Sequence, residues 1–118
     1  MSFVLVVDDD ARSAGLLARL LREDGYSVDV ECDGAAALAR LDRLPTPDAV
    51  ITDYRMPFAD GMAVARGARL RSPRIPIYIV TAYPELIDEG ALDPRARVFA
   101  KPLSYSELTT ALGAQEKP

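Results

Sequence analysis

A chain of 118 residues has room for one hydrophobic core, so we expect a single domain over residues 1–118 with an ordered core over about 3–114. The net charge of −4 argues against direct nucleic-acid binding, and the absence of histidine excludes His-based catalysis, His-ligated metals and phosphohistidine on this chain. A single cysteine, Cys32, no apolar run near the ~20 residues of a bilayer span and no basic leader predict a soluble cytoplasmic protein without a membrane partner.

The first half of the chain alternates strand-like and helix-like segments. Continuous apolar runs are typical of strands covered on both faces, and leucines or alanines at helical spacing indicate helices. Gly25 ends the first helical stretch, and Pro45 interrupts the chain after the second. The order is buried strand, helix, edge-type strand, helix and second buried strand, at 3–7, 11–24, 26–31, 34–44 and 49–52.

The second half continues the alternation after a turn that contains Pro57 and Gly61. Gly67 lies inside the helix that follows and should weaken it by about 1 kcal/mol relative to Ala. Ser104 and Glu107 form a capping box ahead of the last helix. The order is a helix to about Arg71, a third buried strand at 77–80, a short helix from Pro84, a fifth strand at 98–100 and a helix ending near Gly113.

Five β-α units with short connections predict an α/β domain with a doubly wound parallel sheet between two helical layers. Ligands bind such sheets beyond the carboxyl ends of the strands, where the strand order reverses. We therefore expect the functional site among the residues that follow the strands. Those residues are polar: Asp8, Asp9 and Asp10 after the first strand, Asp53 at the end of the third, Thr81 after the fourth and Lys101 after the fifth.

This set of side chains predicts chemistry on a phosphoryl group. Crowded carboxylates repel one another, and Mg²⁺ relieves the repulsion because it binds carboxylates, waters and phosphate oxygens. Phosphoryl transfer depends on positioning and on neutralising the equatorial oxygens, which a metal, an ammonium and a hydroxyl can do. A carboxylate is a recognised nucleophile for forming an acyl phosphate. Of the three adjacent acids, Asp10 is the best candidate for a helix N-cap.

Four short motifs give the chain a resemblance to the receiver domain of two-component response regulators, over residues 4–112. Each motif closes a predicted strand, and all four occur in the family's order. They are Leu5-Val6-Val7-Asp8-Asp9-Asp10, Asp53-Tyr54-Arg55-Met56-Pro57 with Asp60-Gly61, Val80-Thr81-Ala82, and Ala100-Lys101-Pro102-Leu103.

The resemblance implies a flavodoxin-like three-layer sandwich with strand order 2-1-3-4-5. It implies a switch, not a turnover enzyme: a sensor histidine kinase or phosphotransfer protein donates the phosphoryl group, and the modified domain alters its contacts with an effector. A cis peptide between Lys101 and Pro102 is also implied. The implied roles are phosphoacceptor for Asp53, Mg²⁺ ligands for Asp8, Asp9, Asp53 and the Arg55 carbonyl, and phosphoryl contacts for Thr81 and Lys101.

Two features depart from the family. An aromatic residue whose rotamer reports phosphorylation often stands three residues before the lysine, but this chain has Val98 there, and Phe99 should point to the core because strand neighbours face opposite ways. The segment between Thr81 and Lys101 is slightly short, so its helix should be brief. That helix, the fifth strand and the last helix form the face that the family commonly uses for homodimers and partners.

Three other functions stay open on the sequence. Asp8-x-Asp10 matches the opening motif of haloacid dehalogenase-type phosphatases, in which Asp8 would be the nucleophile. A protein-binding domain of the same fold that never takes phosphate is the second, although clustered acids without a metal only repel one another. Flavin binding is the third, and it lacks a phosphate-cradling loop after the first strand. The sequence also leaves open a stand-alone receiver or a piece of a longer regulator.

Overall fold

The structure, a computed structural model, describes residues 2–88 and 90–116. Within these ranges five strands alternate with four α-helices, and one 3₁₀ turn, Pro84–Leu86, stands between β4 and β5. The elements are β1 Phe3–Val7, α1 Ala11–Glu23, β2 Ser27–Glu31, α2 Gly34–Leu41, β3 Ala49–Asp53, α3 Gly61–Arg71, β4 Ile77–Thr81, β5 Ala96–Ala100 and α4 Tyr105–Glu116.

All strands are parallel, and they lie in the order β2-β1-β3-β4-β5. The predicted fold class and strand order are therefore confirmed. The chain moves outward from β1 to β2 and then returns to the other side of β1, so the order reverses between β1 and β3. Val7 pairs with Thr52, and Asp53 pairs with Val80, which brings the carboxyl ends of the central strands to one edge.

The core consists of two layers because alternate strand residues face opposite sides of the sheet. Val4 and Val6 of β1 pack in the layer under α1 and α4, whereas Leu5 and Val7 pack under α2 and α3. Each fully buried aliphatic side chain contributes about 1.5–3 kcal/mol relative to exposure, so burial on both faces stabilises the strands whose ends carry the polar edge. None of the helices in the described ranges is both long and apolar enough to cross a membrane.

Aspartate side chains cap three of the helices. Asp10 accepts a hydrogen bond from the Arg12 N–H at 3.0 Å, as its predicted role as an N-cap requires, and Asp60 accepts one from Ala63 at the start of α3. At α4 the Glu107 N–H donates to Ser104 Oγ at 3.3 Å, which is the serine half of the predicted capping box.

Several predicted boundaries are wrong. α2 ends at Leu41 and not near residue 44, because the buried Arg40 guanidinium donates to the carbonyls of Arg43 and Pro45 and draws that segment into a loop. β5 starts at Ala96, two residues earlier than predicted, since its exposed Arg97 masks the apolar pattern. α4 continues through position 113 to Glu116.

In the second half one expectation holds, and one glycine has a packing role that was not predicted. Among the residues that the structure describes between β4 and β5, the one helical element is the 3₁₀ turn, so the brief fourth helix is confirmed. Gly67 is buried in α3, and a Cβ there would lie 2.2 Å from Leu38 Cδ2 of α2. The glycine therefore permits α2 and α3 to pack closely, which the sequence pattern did not reveal.

Candidate functional site

Three carboxylates converge where β1 and β3 end. Asp8, Asp9 and Asp53 each offer an oxygen that lies within 4.8 Å of the others. The turn after β1 holds this arrangement, because the Asp10 N–H donates to Asp8 Oδ1 at 2.9 Å and the Asp8 N–H donates to the Glu31 carbonyl. A trio of oxygen donors with one exposed member suits a hard cation that keeps several waters.

The electrostatics of this cluster favour a cation. Burial raises the pKa of the Asp8 carboxyl above its ordinary value, and the negative charges of Asp53 and Asp9 add to the rise. The hydrogen bond from Asp10 and the charge of Lys101 act in the opposite direction but do not cancel it. A divalent ion would offset both the burial and the repulsion. The donor set therefore fits Mg²⁺.

Asp53 receives two donors on the same oxygen. Lys101 Nζ lies 3.1 Å from Asp53 Oδ1, and the Tyr54 N–H donates to Oδ1 at 3.0 Å. The Asp53 side chain is 10% exposed and that of Lys101 is 39% exposed. The Lys101 N–H also donates to the Thr81 carbonyl, and the Lys101–Pro102 peptide is cis, as expected.

Thr81 ends β4 and is 3% exposed. Its Oγ1 accepts a hydrogen bond from the Tyr83 N–H at 3.1 Å. A hydroxyl that accepts through a lone pair still has its own proton to donate. Thr81 can therefore donate a hydrogen bond while it also holds the chain that follows β4.

The loop from β3 to α3 is held by close glycine contacts. A Cβ at Gly61 would lie 2.5 Å from the Asp53 carbonyl oxygen, and a Cβ at Gly34 would lie 1.9 Å from the carbonyl oxygen of Ala59. Gly61 N–H donates to the Tyr54 carbonyl at 2.7 Å. These contacts fix the backbone beside Asp53. The role of Gly34 was missed, since its partner lies far along the chain.

Phe58, at the outer end of this loop, has a strained backbone. The Ala59 N–H donates to the Pro57 carbonyl at 2.8 Å, which makes Phe58 the centre of a three-residue turn with φ of 71°. The residue is 88% exposed. A positive φ is unusual for a bulky residue. Sequence reasoning had no signal for it, because Gly or Asn is the residue that normally marks such a conformation.

Arg55 and Tyr83 meet across the sheet edge. The Arg55 Cζ lies 5.9 Å from the centroid of the Tyr83 ring, so the loop after β3 contacts the segment after β4. Both side chains are exposed. The structure thus places every predicted site residue at one edge, and it brings four of them, Asp8, Asp9, Asp53 and Lys101, into a single cluster.

An apolar groove of about 370 Å³ opens beside this cluster, between α1 and the segment that follows β5. Its lining includes Asp53 and Lys101 of the site and Leu16 of α1, which is 59% exposed. A larger cavity of about 780 Å³ opens among Asp24, Asp48 and other residues that do not include the carboxylate cluster. The groove therefore offers apolar surface directly beside the acidic site.

The chain is a doubly wound α/β domain, a class that binds ligands where the strand order reverses, and the acidic cluster lies at that point. The family model described as "Response regulator receiver domain" matches residues 4–113. The chain belongs to this family of two-component signalling domains.

Similar proteins agree with the family. The transcriptional regulatory protein ZraR of Salmonella typhimurium is 37% identical over 115 residues, which is 92% of this chain but 25% of that protein. A response regulator receiver protein of Sinorhizobium medicae superposes with a TM-score of 0.90 at 29% identity, covering 97% of this chain and 93% of the other. The protein TrrA of Thermotoga maritima, solved in complex with Mg(2+)-BeF, has a TM-score of 0.82 at 30% identity and covers 98% and 99%. The chain therefore spans only a quarter of ZraR.

Proposed function

We propose that Asp53 accepts a phosphoryl group in a Mg²⁺-dependent reaction and that this modification switches the protein contacts of the domain. The observation that carries the proposal is the convergence of Asp8, Asp9 and Asp53 within 4.8 Å, with Lys101 Nζ 3.1 Å from Oδ1 of Asp53. Acids alone would repel one another at this spacing. Together with an ammonium and a metal they form an acceptor site.

The reaction is a displacement at phosphorus. A carboxylate oxygen of Asp53 attacks the phosphorus of a phosphohistidine on a partner, the P–N bond breaks, and the leaving imidazole takes up a proton from solvent. The product is an acyl phosphate on Asp53. Water later attacks it and returns the carboxylate and inorganic phosphate. The domain thus acts as a switch, and an external substrate is not turned over.

The residues at the sheet edge have different roles in this reaction. Mg²⁺, bound by Asp8, Asp9, Asp53 and the Arg55 carbonyl, would neutralise charge on the phosphoryl oxygens. Lys101 already contacts Asp53, so its ammonium is placed to stabilise an equatorial oxygen. The Thr81 hydroxyl has its proton free to donate to another, while its lone pair holds the Tyr83 N–H.

A sensor histidine kinase or phosphotransfer protein is the partner that this chemistry requires, and we place the exchange in the cytoplasm. The phosphorylated histidine of this partner has to reach Asp53 from above the sheet edge. The apolar groove with exposed Leu16 lies directly beside that approach and suits a helix of the donor. An effector protein, and a homodimer through the 3₁₀ turn, β5 and α4, complete the proposed partners.

The phosphatase alternative, with Asp8 as nucleophile, is weaker in this geometry. Such a reaction would use Asp10 as its acid, but the Asp10 carboxylate accepts hydrogen bonds from the Arg12 N–H and the Ser13 hydroxyl as the cap of α1. These bonds hold the pKa of the Asp10 carboxyl below its ordinary value, which is the wrong direction for a proton donor.

Intact-mass measurement tests the proposal. The chain is incubated with acetyl phosphate and Mg²⁺, which transfers the phosphoryl group and releases acetate. We expect one phosphoryl adduct on the wild type and on Asp88→Ala, an exposed acid outside the site. We expect none on Asp53→Ala or after removal of the metal. Equal labelling of wild type and Asp53→Ala would refute the proposal.

A further inference from the structure

We propose that Tyr83 reports the modification of Asp53 through Arg55: the guanidinium lies on the Tyr83 ring while Asp53 is a free carboxylate and moves to the phosphoryl group when it forms. This inference rests on the proposed function. It assigns to Tyr83 the reporting role that an aromatic residue on the fifth strand often has in the family, because this chain has Val98 at that position.

The two side chains connect the site to the surface. Arg55 stands two residues after Asp53 in the loop that leaves β3, and its guanidinium carbon lies 5.9 Å from the Tyr83 ring centroid. The Tyr83 N–H donates to Thr81 Oγ1 at 3.1 Å. Tyr83 is therefore joined to the site twice, through its backbone to Thr81 and through its ring to Arg55.

The charge of the site changes on modification. The carboxylates of Asp8, Asp9 and Asp53 together with the Lys101 ammonium carry two negative charges, which one Mg²⁺ balances. An acyl phosphate at neutral pH replaces the single charge of the Asp53 carboxylate with nearly two. The modified site is then left with an excess negative charge. Arg55 is a cation within two residues of the acceptor, on the exposed side of the edge.

The competition between the two contacts of Arg55 has a clear direction. A guanidinium over an aromatic ring at an exposed site is held weakly, and 5.9 Å is near the outer limit of such contacts. A charge-assisted hydrogen bond to a phosphoryl oxygen is the stronger interaction, and Arg can form two in parallel. The new anion therefore draws Arg55 from the ring, and Tyr83 is released.

The released Tyr83 ring is exposed and can move, and residues further along the chain are held in place. Tyr83 and Leu86 are each 53% exposed, whereas Ile87 is buried in the core. Further along the same segment, Arg69 of α3 donates hydrogen bonds to the Asp93 carboxylate from two guanidinium nitrogens. The chain between Thr81 and Ile87 is thus the part free to respond, and it presents the altered surface.

Phe99 and Val98 do not offer the same route. The Phe99 ring packs against Tyr78 in the layer under α1 and α4, with centroids 5.9 Å apart. Val98 packs in the opposite layer and has no ring to rotate. Tyr83 is the aromatic residue whose own backbone contacts the hydroxyl at the end of β4.

Fluorine NMR of the wild type and a small set of variants tests the inference. The chain is labelled with 3-fluorotyrosine at its five tyrosines, and the Tyr83 signal is assigned with Tyr83→Phe. Mg²⁺ and beryllofluoride are then added, and the bound fluoride gives its own signal. We expect the Tyr83 and Tyr54 signals to shift while those of Tyr26 and Tyr78 stay. In Arg55→Gln the free-state Tyr83 signal should already resemble the bound state, whereas the matched control Arg66→Gln should behave as wild type.

The outcomes separate the two proposals. A bound-fluoride signal with an unmoved Tyr83 signal overturns the inference and leaves phosphorylation of Asp53 standing. A Tyr83 shift of the same size in Arg55→Gln overturns the part assigned to Arg55. Absence of a bound-fluoride signal in the wild type, as in an Asp53→Asn reference, refutes the proposed function itself.

Discussion

The ammonium of Lys101 lies 3.1 Å from Oδ1 of Asp53, and this contact joins the residue after β5 to the end of β3 across the end of β4. It places a positive charge beside the three carboxylates of Asp8, Asp9 and Asp53. The pair makes the charge distribution at this edge asymmetric. An incoming phosphoryl group would meet the ammonium on one side and the carboxylates of Asp8 and Asp9 on the other.

Mg²⁺ should stabilise the folded chain through the carboxylate cluster. Binding to the folded state alone adds about 2.7 kcal/mol at a metal concentration of 100 times Kd. We expect calorimetry to show a higher unfolding midpoint for wild type and for Asp88→Asn in Mg²⁺, and little change for Asp9→Asn. The same metal-induced rise in Asp9→Asn would contradict the assignment of Asp9 as a ligand.

The Arg69–Asp93 pair should make stability depend on pH in a defined window. The hydrogen bond from Arg69 lowers the pKa of Asp93 below its ordinary value of 3.8. A carboxyl whose pKa is lowered by folding contributes its full stabilising free energy at a pH above its pKa in the unfolded chain. That contribution is lost as the pH falls through its pKa in the folded chain. Asp93→Asn should therefore lower the free energy of unfolding by about 1–3 kcal/mol at pH 7.

The check is urea unfolding of wild type and Asp93→Asn at a series of pH values from 7 downward. The difference between the two proteins should shrink once the pH is below 3.8. A difference that stays constant with pH would show that the ion pair does not contribute, and that lost packing explains the effect.

At position 58 the glycine variant should be more stable than the alanine variant, which is the reverse of the usual order. The φ of 71° at Phe58 is costly for any residue with a Cβ, and the residue is 88% exposed, so removing the ring costs little. We expect Phe58→Gly to be more stable than Phe58→Ala by about 0.5–1 kcal/mol in chemical denaturation. At Arg95, an exposed loop residue outside the left-handed region, the alanine variant should be the more stable one. The normal ranking at Phe58 would mean that the turn is not strained.

Arg55 and Tyr83 should slow the loss of the acyl phosphate. In the unmodified chain Arg55 lies 5.9 Å from the Tyr83 ring at the exposed rim of the site. In the modified chain Arg55 would lie against the phosphoryl group with bulky Tyr83 still at the rim, and both side chains would hinder an attacking water. We expect the phosphoryl adduct to decay several-fold faster in Arg55→Ala and in Tyr83→Ala, followed by mass spectrometry after removal of acetyl phosphate. Arg66→Ala is the control. Unchanged decay in both variants would remove this role.

Local sequence patterns were enough to predict the sheet and its polar edge. The apolar runs before Asp8 and Asp53 read as buried strands, and in a parallel sheet their ends must meet. The opposite orientation of Val98 and Phe99 followed from strand alternation and is confirmed by their separate layers.

The features that were missed depend on contacts between distant residues. The end of α2 depends on Arg40, whose guanidinium reaches Asp29 as well as nearby carbonyls. Gly67 is explained by Leu38 of another helix, and the positive φ of Phe58 by a loop fixed from both ends. Propensity and periodicity describe single segments, so they carry no signal for such pairings.

Chemical mapping of the modified residue tests the central claim most directly. After incubation with acetyl phosphate and Mg²⁺, borohydride reduces an aspartyl phosphate to homoserine, and peptide mass spectrometry locates the change. Phosphorylation of Asp53 predicts conversion at position 53 and none at Asp8 or Asp9. Conversion at Asp8, or none at position 53 in a protein that carries the phosphoryl adduct, would contradict it.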